Sequence, residues 1–240
     1  MLDILLDRWP AVLVIAVAAY LLGSVNWAII ITMARSRKDI RDVGSGNAGA
    51  TNVLRSQGVV PAVLTLVGDA GKGVLAAWLG GCLMRWLPVG SLEFDPAMLT
   101  TFGGYMAAAF VVLGHLFPIF YGFRGGKGVA TVGGLLFVTD WRVGLVTIGV
   151  FALCALIWRM VSLGSVTAGV FIILSTFVFR YFVDGAAWET VLFCLITIGV
   201  PVAMAIAKHS ENIRRIIAGT ERRIGEKVPM EEPVEQTEEN

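Results

Sequence analysis

Six long apolar runs separated by short polar turns decide what this 240-residue chain can become. They lie at 10–33, 59–86, 97–120, 143–158, 164–182 and 189–207. A helix of about 20 apolar residues crosses a hydrocarbon core, and inside lipid the backbone must satisfy its own hydrogen bonds. The sequence therefore predicts an all-α fold, a polytopic membrane helical bundle. With 56% hydrophobic and 15% charged residues and a mean hydropathy of +0.76, an ordinary water-soluble domain is excluded. A seventh apolar run, 129–138, is too short to cross upright alone, so it is either a thin span or a re-entrant segment.

Charge placement separates these two. With seven crossings, one side receives Arg35, Arg37, Lys38, Arg41 and Arg55, then Arg124 and Lys127, then Arg159, then the bases of 208–227. The other side receives 87–96, 139–142 and 183–188, which hold Glu93, Asp95, Asp140, Asp184 and only Arg142. Six crossings would scramble this asymmetry beyond the fourth segment, so seven are expected. Because Lys and Arg concentrate on cytoplasmic loops, the N-terminus is expected outside and the C-terminus inside. Residues 1–9 carry Asp3, Asp7 and Arg8 without a cleavage pattern and read as a retained anchor. Residues 1–228 form one membrane-embedded domain in this reading. Residues 229–240, with five glutamates and no base, form an acidic, solvated, disordered tail. Cys82, Cys154 and Cys194 stand singly within apolar runs and read as small packing residues, with no metal spacing.

The unusual polar residues gather on the basic side. The first cluster, Gly44-Ser45-Gly46-Asn47-Ala48-Gly49-Ala50-Thr51-Asn52, has Arg41 before it and Arg55 after it. Glycines let several backbone N–H groups converge, so Ser45, Asn47, Thr51 and their neighbours could nest a phosphate. The alternative is a flexible connector leading into a helix capped by Thr51 or Asn52. The second, Phe123-Arg124-Gly125-Gly126-Lys127-Gly128, leads into a helix starting near Val129. Gly125, Gly126 and Gly128 permit close approach of an anion, Lys127 supplies charge, and the helix dipole adds to both. The aromatics Phe117, Phe120, Tyr121 and Phe123 read as an interfacial belt. Gly68-Asp69-Ala70-Gly71-Lys72-Gly73 puts Asp69 and Lys72 on one helix face, where they can pair. Neither lysine turn is a Walker A loop, because Gly73 and Gly128 follow the lysines where a hydroxyl is required. The two histidines, His115 and His209, both fall at this boundary, and His209 shares a helical face with Asn212. No Gly-x-Ser-x-Gly elbow and no His-x4-Asp pair occurs, and no metal site, cofactor or nucleic-acid partner is expected.

Taken in order, these motifs resemble the PlsY family of integral membrane acyl-phosphate:glycerol-3-phosphate acyltransferases. The resemblance runs from Tyr20-Leu21-Leu22-Gly23-Ser24 through the first loop and Arg55 to Asp69 with Lys72-Gly73. It continues through Gly114-His115, Pro118 and Gly122 to Thr131, and closes with Val161-Ser162-Leu163 and His209 with Glu211-Asn212-Ile213. It implies a seven-span enzyme of the bacterial cytoplasmic (inner) membrane with its site on the cytoplasmic side. The implied reaction moves a fatty acyl group from acyl phosphate to the 1-hydroxyl of glycerol 3-phosphate, giving lysophosphatidate and phosphate as the first step of phospholipid synthesis. Carried over by motif, Arg55 and Lys127 hold phosphate, while Ser45, His209 and Asn212 orient the glycerol end and carry catalysis. The backbone of the second loop meets the acyl phosphate, and Lys72, Ser162 and His115 are further substrate-binding candidates. One departure stands out: Val25-Asn26-Trp27 replaces an Ile-Pro pair after Ser24, which predicts an altered helix kink. A transporter of organic phosphates is the competing reading, and a membrane scaffold a third. No repeated halves and no charged path through the membrane support the transporter.

Overall fold

The structure, a computed structural model, describes residues 1–87 and 89–226. The acidic segment 229–240, and with it the expected tail, lies outside the described residues. Among the described residues all regular secondary structure is helical. In chain order the helices are α1 (Leu2–Asp7), α2 (Trp9–Ser24), α3 (Trp27–Ser36), α4 (Ala50–Gln57), α5 (Val59–Trp86), α6 (Pro96–Leu116), α7 (Val129–Thr139), α8 (Trp141–Trp158), α9 (Val161–Phe177), α10 (Trp188–Ala207) and α11 (Ser210–Ile217). Six helical segments are long and apolar enough to cross a membrane: Trp9–Ser36, Val59–Trp86, Pro96–Tyr121, Trp141–Trp158, Val161–Val183 and Trp188–Ala207. They coincide with the six long apolar runs.

The first of these is broken at Val25–Asn26, where α2 ends and α3 begins. Asn26 replaces the expected proline as the cause. Its side chain accepts a hydrogen bond from Ile29 N at 3.1 Å, the N-cap geometry that starts a new helix. The break leaves carbonyls without helical partners, and the Lys72 ammonium of α5 fills that role. It donates to Gly23 O at 2.9 Å and Val25 O at 2.6 Å. Thus a lysine buried in the bundle secures a helix break, which keeps α2 and α3 in a fixed relation.

Polar contacts fix which helix ends meet. Asp7, ahead of α2, accepts from Ser91 N, between α5 and α6, at 2.8 Å. Asp140, between α7 and α8, reaches Arg180 at the end of the α9 segment, and Arg180 reaches Tyr105 of α6. At the other end Lys127, ahead of α7, meets Asn212 after α10, and Ser162 at the start of α9 meets Glu221. Successive segments therefore alternate in direction, and α7 joins the two ends. Its 11 residues rise only about 16 Å, and the loop before it turns inward at Gly126 and Gly128, which are buried, while Gly122, Phe123 and Arg124 stay exposed. Six long segments and one short apolar helix, α7, thus run between the two ends, against the seven crossings expected from charge placement. The bundle has a main buried core from Ile4 to Ala205 and a smaller separate one of Ala28, Ile29, Ile40, Ala48, Val53 and Ala62 beneath the first glycine loop, and large apolar side chains such as Leu156, Val67 and Leu13 face outward, as lipid requires.

Candidate active site

The first glycine loop is shaped from inside by Asn52. Helix α4 begins after Gly49 without a side-chain cap, so neither Thr51 nor Asn52 caps it. Instead the buried Asn52 reaches back: its Nδ2 donates to Ile40 O at 3.1 Å and Val43 O at 2.8 Å, and its Oδ1 accepts from Ser45 N at 3.1 Å. One amide thereby holds the turn that presents Ser45, which is exposed. Asn47 and Thr51 are half-buried on either side of the buried Ala48.

The second loop is tied to the first. Arg41, anchored on Asp39, donates to Tyr121 O at 2.7 Å and Arg124 O at 3.4 Å. Gly126 lies so close to Ala48 O and His115 Nε2 that a side chain there would strike both. Gly128 adopts φ 78°, a left-handed conformation that glycine takes without steric cost, and α7 begins at the next residue. His115 is itself buried against Lys72, Nδ1 to Nζ at 2.9 Å, and Lys72 pairs with Asp69 at 2.9 Å. Asp69, Lys72 and His115 thus form a buried polar cluster beneath the loop. Lys72 and His115 underlie the open surface and form no part of it.

The open part is a cup formed by α7, α9, α11 and α4. Lys127 contacts Asn212 Oδ1, and Asn212 Nδ2 donates to Glu221 Oε1 at 2.7 Å. Ser162 Oγ donates to the same carboxylate oxygen at 2.6 Å, and Arg215 Nε to the other at 2.7 Å. Arg55 lies in the same field: burial, with Arg222 and Arg215, pushes its pKa down, while Glu221 opposes. Burial, reinforced by Arg215, likewise holds the Lys127 ammonium below the ordinary lysine value. His209, buried, places Nδ1 2.8 Å from Ala205 O. A carbonyl can only accept, so Nδ1 carries the proton and Nε2 is left as an acceptor. Burial lowers the His209 pKa below 6.5, which keeps the ring neutral near pH 7.

Behind Lys127 and His209 a narrow, half-open apolar cleft of about 40 Å³ runs between α7, α9 and α10, lined by Val129, Val132, Ala168, Ile172, Val202 and Ile206. Small residues, Gly169 and Ala205, keep it open. A cationic mouth on an apolar slot suits an amphiphile with an anionic head. The structure thus brings Lys127, His209, Asn212, Ser162 and Arg55 together and places the loop residues Ser45, Asn47 and Thr51 on the adjoining segment. Three contributors carry weak local signals: Asn52 and Arg41, which shape and join the loops, and Glu221, which enters the cup from a segment distant in sequence.

Fold and site together define a polytopic membrane protein with an anion-receptive cup at one end of its bundle. The sequence profile described as "Glycerol-3-phosphate acyltransferase" matches residues 13–219. A glycerol-3-phosphate acyltransferase of Ralstonia pickettii is 39% identical over 217 residues, covering 90% of this chain and 96% of the relative. That of Cupriavidus taiwanensis is 41% identical over 216 residues, covering 90% and 97%. The crystal structure of PlsY, an integral membrane glycerol 3-phosphate acyltransferase, in its glycerol 3-phosphate form is similar with a TM-score of 0.72 and 35% identity, covering 89% of this chain and 96% of that one. Its lysophosphatidic acid form gives 0.69 and 34%, covering 89% and 95%. The chain belongs to the glycerol-3-phosphate acyltransferase family.

Proposed function

We propose that the cup and slot bind glycerol 3-phosphate and an acyl phosphate, and that acyl transfer takes place at their junction. The observation that carries this is the meeting of Lys127 and His209 with the apolar cavity. One substrate is a small polar phosphate and the other is a phosphate on a long chain, so a cationic cup and a greasy slot must share a wall. In this reading Arg55 and Lys127 hold the glycerol 3-phosphate dianion by charge-assisted hydrogen bonds. Ser45, Ser162 and Asn212 orient the glycerol, and His209 Nε2 accepts a hydrogen bond from its 1-hydroxyl. The backbone of Gly125, Gly126 and Gly128, with the N-terminus of α7, receives the phosphate of the donor. Lys72 and His115 act from below as positioning residues.

The chemistry needs little acid or base strength. The 1-hydroxyl oxygen attacks the acyl carbon, and the new ester C–O bond forms as the bond between the acyl carbon and the bridging anhydride oxygen breaks, that oxygen leaving with the phosphate. The hydroxyl proton ends on the departing phosphate. Phosphate is a good leaving group, so positioning and stabilisation of developing charge supply most of the acceleration. The basic end then faces the cytoplasm of a bacterial inner membrane, following the one-sided distribution of Lys and Arg. Purified protein in lipid, given labelled glycerol 3-phosphate with either palmitoyl phosphate or palmitoyl-CoA, should make lysophosphatidate from the first donor only. Turnover with the thioester alone would overturn the donor assignment. Counterflow of glycerol 3-phosphate across vesicles without acyl transfer would favour the transporter reading.

A further inference from the structure

The segment after α11 reverses ordinary burial. From Ile217 to Glu226 each residue is exposed except one, and that one is a carboxylate, Glu221. Ile217 is 82% exposed and Ile224 44%, whereas Glu221 is 8% exposed. Hydrophobic burial cannot produce this order, because it would sink the isoleucines first. A buried carboxylate is stable only where donors and positive charge receive it. Glu221 has them: Ser162 Oγ at 2.6 Å, Asn212 Nδ2 at 2.7 Å and Arg215 Nε at 2.7 Å, with Lys127 on the far side of Asn212. Burial alone would raise its pKa, but these bonds and the Arg215 charge outweigh that and hold it below the usual carboxylate range. The backbone beside it is pinned as well. Ile224 N donates to Arg159 O at 2.6 Å, and Arg159 Nη2 donates to Ile224 O at 2.8 Å.

Ser162, Asn212 and Lys127 are the groups that the proposed function assigns to glycerol 3-phosphate, and the family profile ends at residue 219, before the segment turns in. We propose that Glu221 is an internal competitor of glycerol 3-phosphate, its carboxylate occupying Ser162 and Asn212, the donors that otherwise orient the substrate's glycerol end beside Lys127. The inference rests on the assignment of the cup to that substrate. Two features make the competition reversible. The segment buries one side chain only, so withdrawal exposes little apolar surface. Glycerol 3-phosphate brings a dianion to Lys127 and Arg55 as well as hydroxyls to Ser162 and Asn212, so substrate at sufficient concentration wins the cup. The consequence is an enzyme whose apparent affinity for glycerol 3-phosphate is lowered by the fraction of time that Glu221 is seated. The chain then works fully only when glycerol 3-phosphate is abundant.

The test compares full-length wild type with E221A and E221Q in the same lipid preparation. It uses the KM for glycerol 3-phosphate with palmitoyl phosphate as donor, and calorimetric titration with glycerol 3-phosphate alone. Removing the competitor should lower KM and Kd about tenfold in E221A, with a smaller fall in E221Q, and leave kcat nearly unchanged. E221Q preserves the shape of the side chain and carries the test if E221A does not fold. An unchanged or raised Kd would overturn the proposal and make Glu221 a support for Asn212 and Arg215. A collapse of kcat with unaltered Kd would also overturn it, marking Glu221 as a participant in proton transfer. Titration separates this inference from the assigned reaction: tighter binding in the variants sustains the competitor even if wild type transfers no acyl group. Loss of turnover with every donor would instead strike the reaction itself.

Discussion

The two ends of the bundle use the same kinds of side chain for opposite ends. At the end away from the glycine loops, Arg142 bridges Asp140 at 2.8 Å and Asp184 at 2.7 Å. Arg180 joins Asp184 at 3.2 Å, Thr139 O at 2.9 Å and Tyr105 Oη at 3.3 Å. Two arginines meet two carboxylates, and the cluster closes upon itself. At the glycine-loop end, Arg55, Lys127, Arg215 and Arg222 share a field with Glu211, Glu221 and Glu226, of which only Glu221 is buried, so the bases stay in excess. The first arrangement fastens helices, and the second leaves positive charge available for an anion. The lesson is that stoichiometry of charge within a cluster, more than the presence of ion pairs, separates a clasp from a site. Arg85 and Arg180 also show that the clasp end has more bases than its loops display, because these two sit within helices.

The sharpest way to break this contrast is Lys127→Ala. Loss of a preorganised cationic donor from the site should lower kcat/KM for glycerol 3-phosphate roughly 100- to 1000-fold, with little change in melting temperature, since Lys127 makes a single half-buried side-chain contact, to Asn212. Steady-state kinetics beside a thermal melt would check both halves. Asp140→Ala is the converse. It removes the α8 N-cap, where Asp140 accepts from Arg142 N at 3.1 Å, together with two ion pairs. It should cost roughly 3 kcal/mol of stability and leave the kcat of the surviving folded protein near wild type. A folded, stable D140A without activity would contradict the division of labour. The smallest effect concerns pH. Burial holds the Lys127 pKa below 10.5, so its ammonium is charged at low pH and is lost as pH rises through that depressed value. The KM for glycerol 3-phosphate should therefore rise earlier on the alkaline side than for an ordinary lysine, and K127R should flatten that limb. On the acid side His209, also depressed, stays neutral down to below 6.5, so any limb due to its protonation begins under that value.

Much of this was legible in the sequence, for identifiable reasons. Long apolar runs give helices because lipid leaves the backbone no other partner, and the two glycine loops announce themselves by composition. The helix break at Asn26 was visible only as a departure from a family pattern, and its retention depends on Lys72, which lies 47 residues from the carbonyl it caps. Asn52 resembles a helix cap locally, yet its amide serves a turn that folds back over it. Glu221 offers only a weak local signal. It is one acid in a charged stretch, and its meaning comes from Ser162, 59 residues earlier in the chain. Contacts of that span are set by how the bundle closes, which periodicity does not encode.

The central claim is that Lys127 and its neighbours form the place where glycerol 3-phosphate is acylated. Its most direct test is the initial rate of lysophosphatidate formation from palmitoyl phosphate, measured for wild type and K127A side by side in one lipid preparation with equal folded protein. A robust wild-type rate that falls at least 100-fold in K127A is the predicted result. Equal rates in the two proteins would contradict the account and move the reaction away from this end of the bundle.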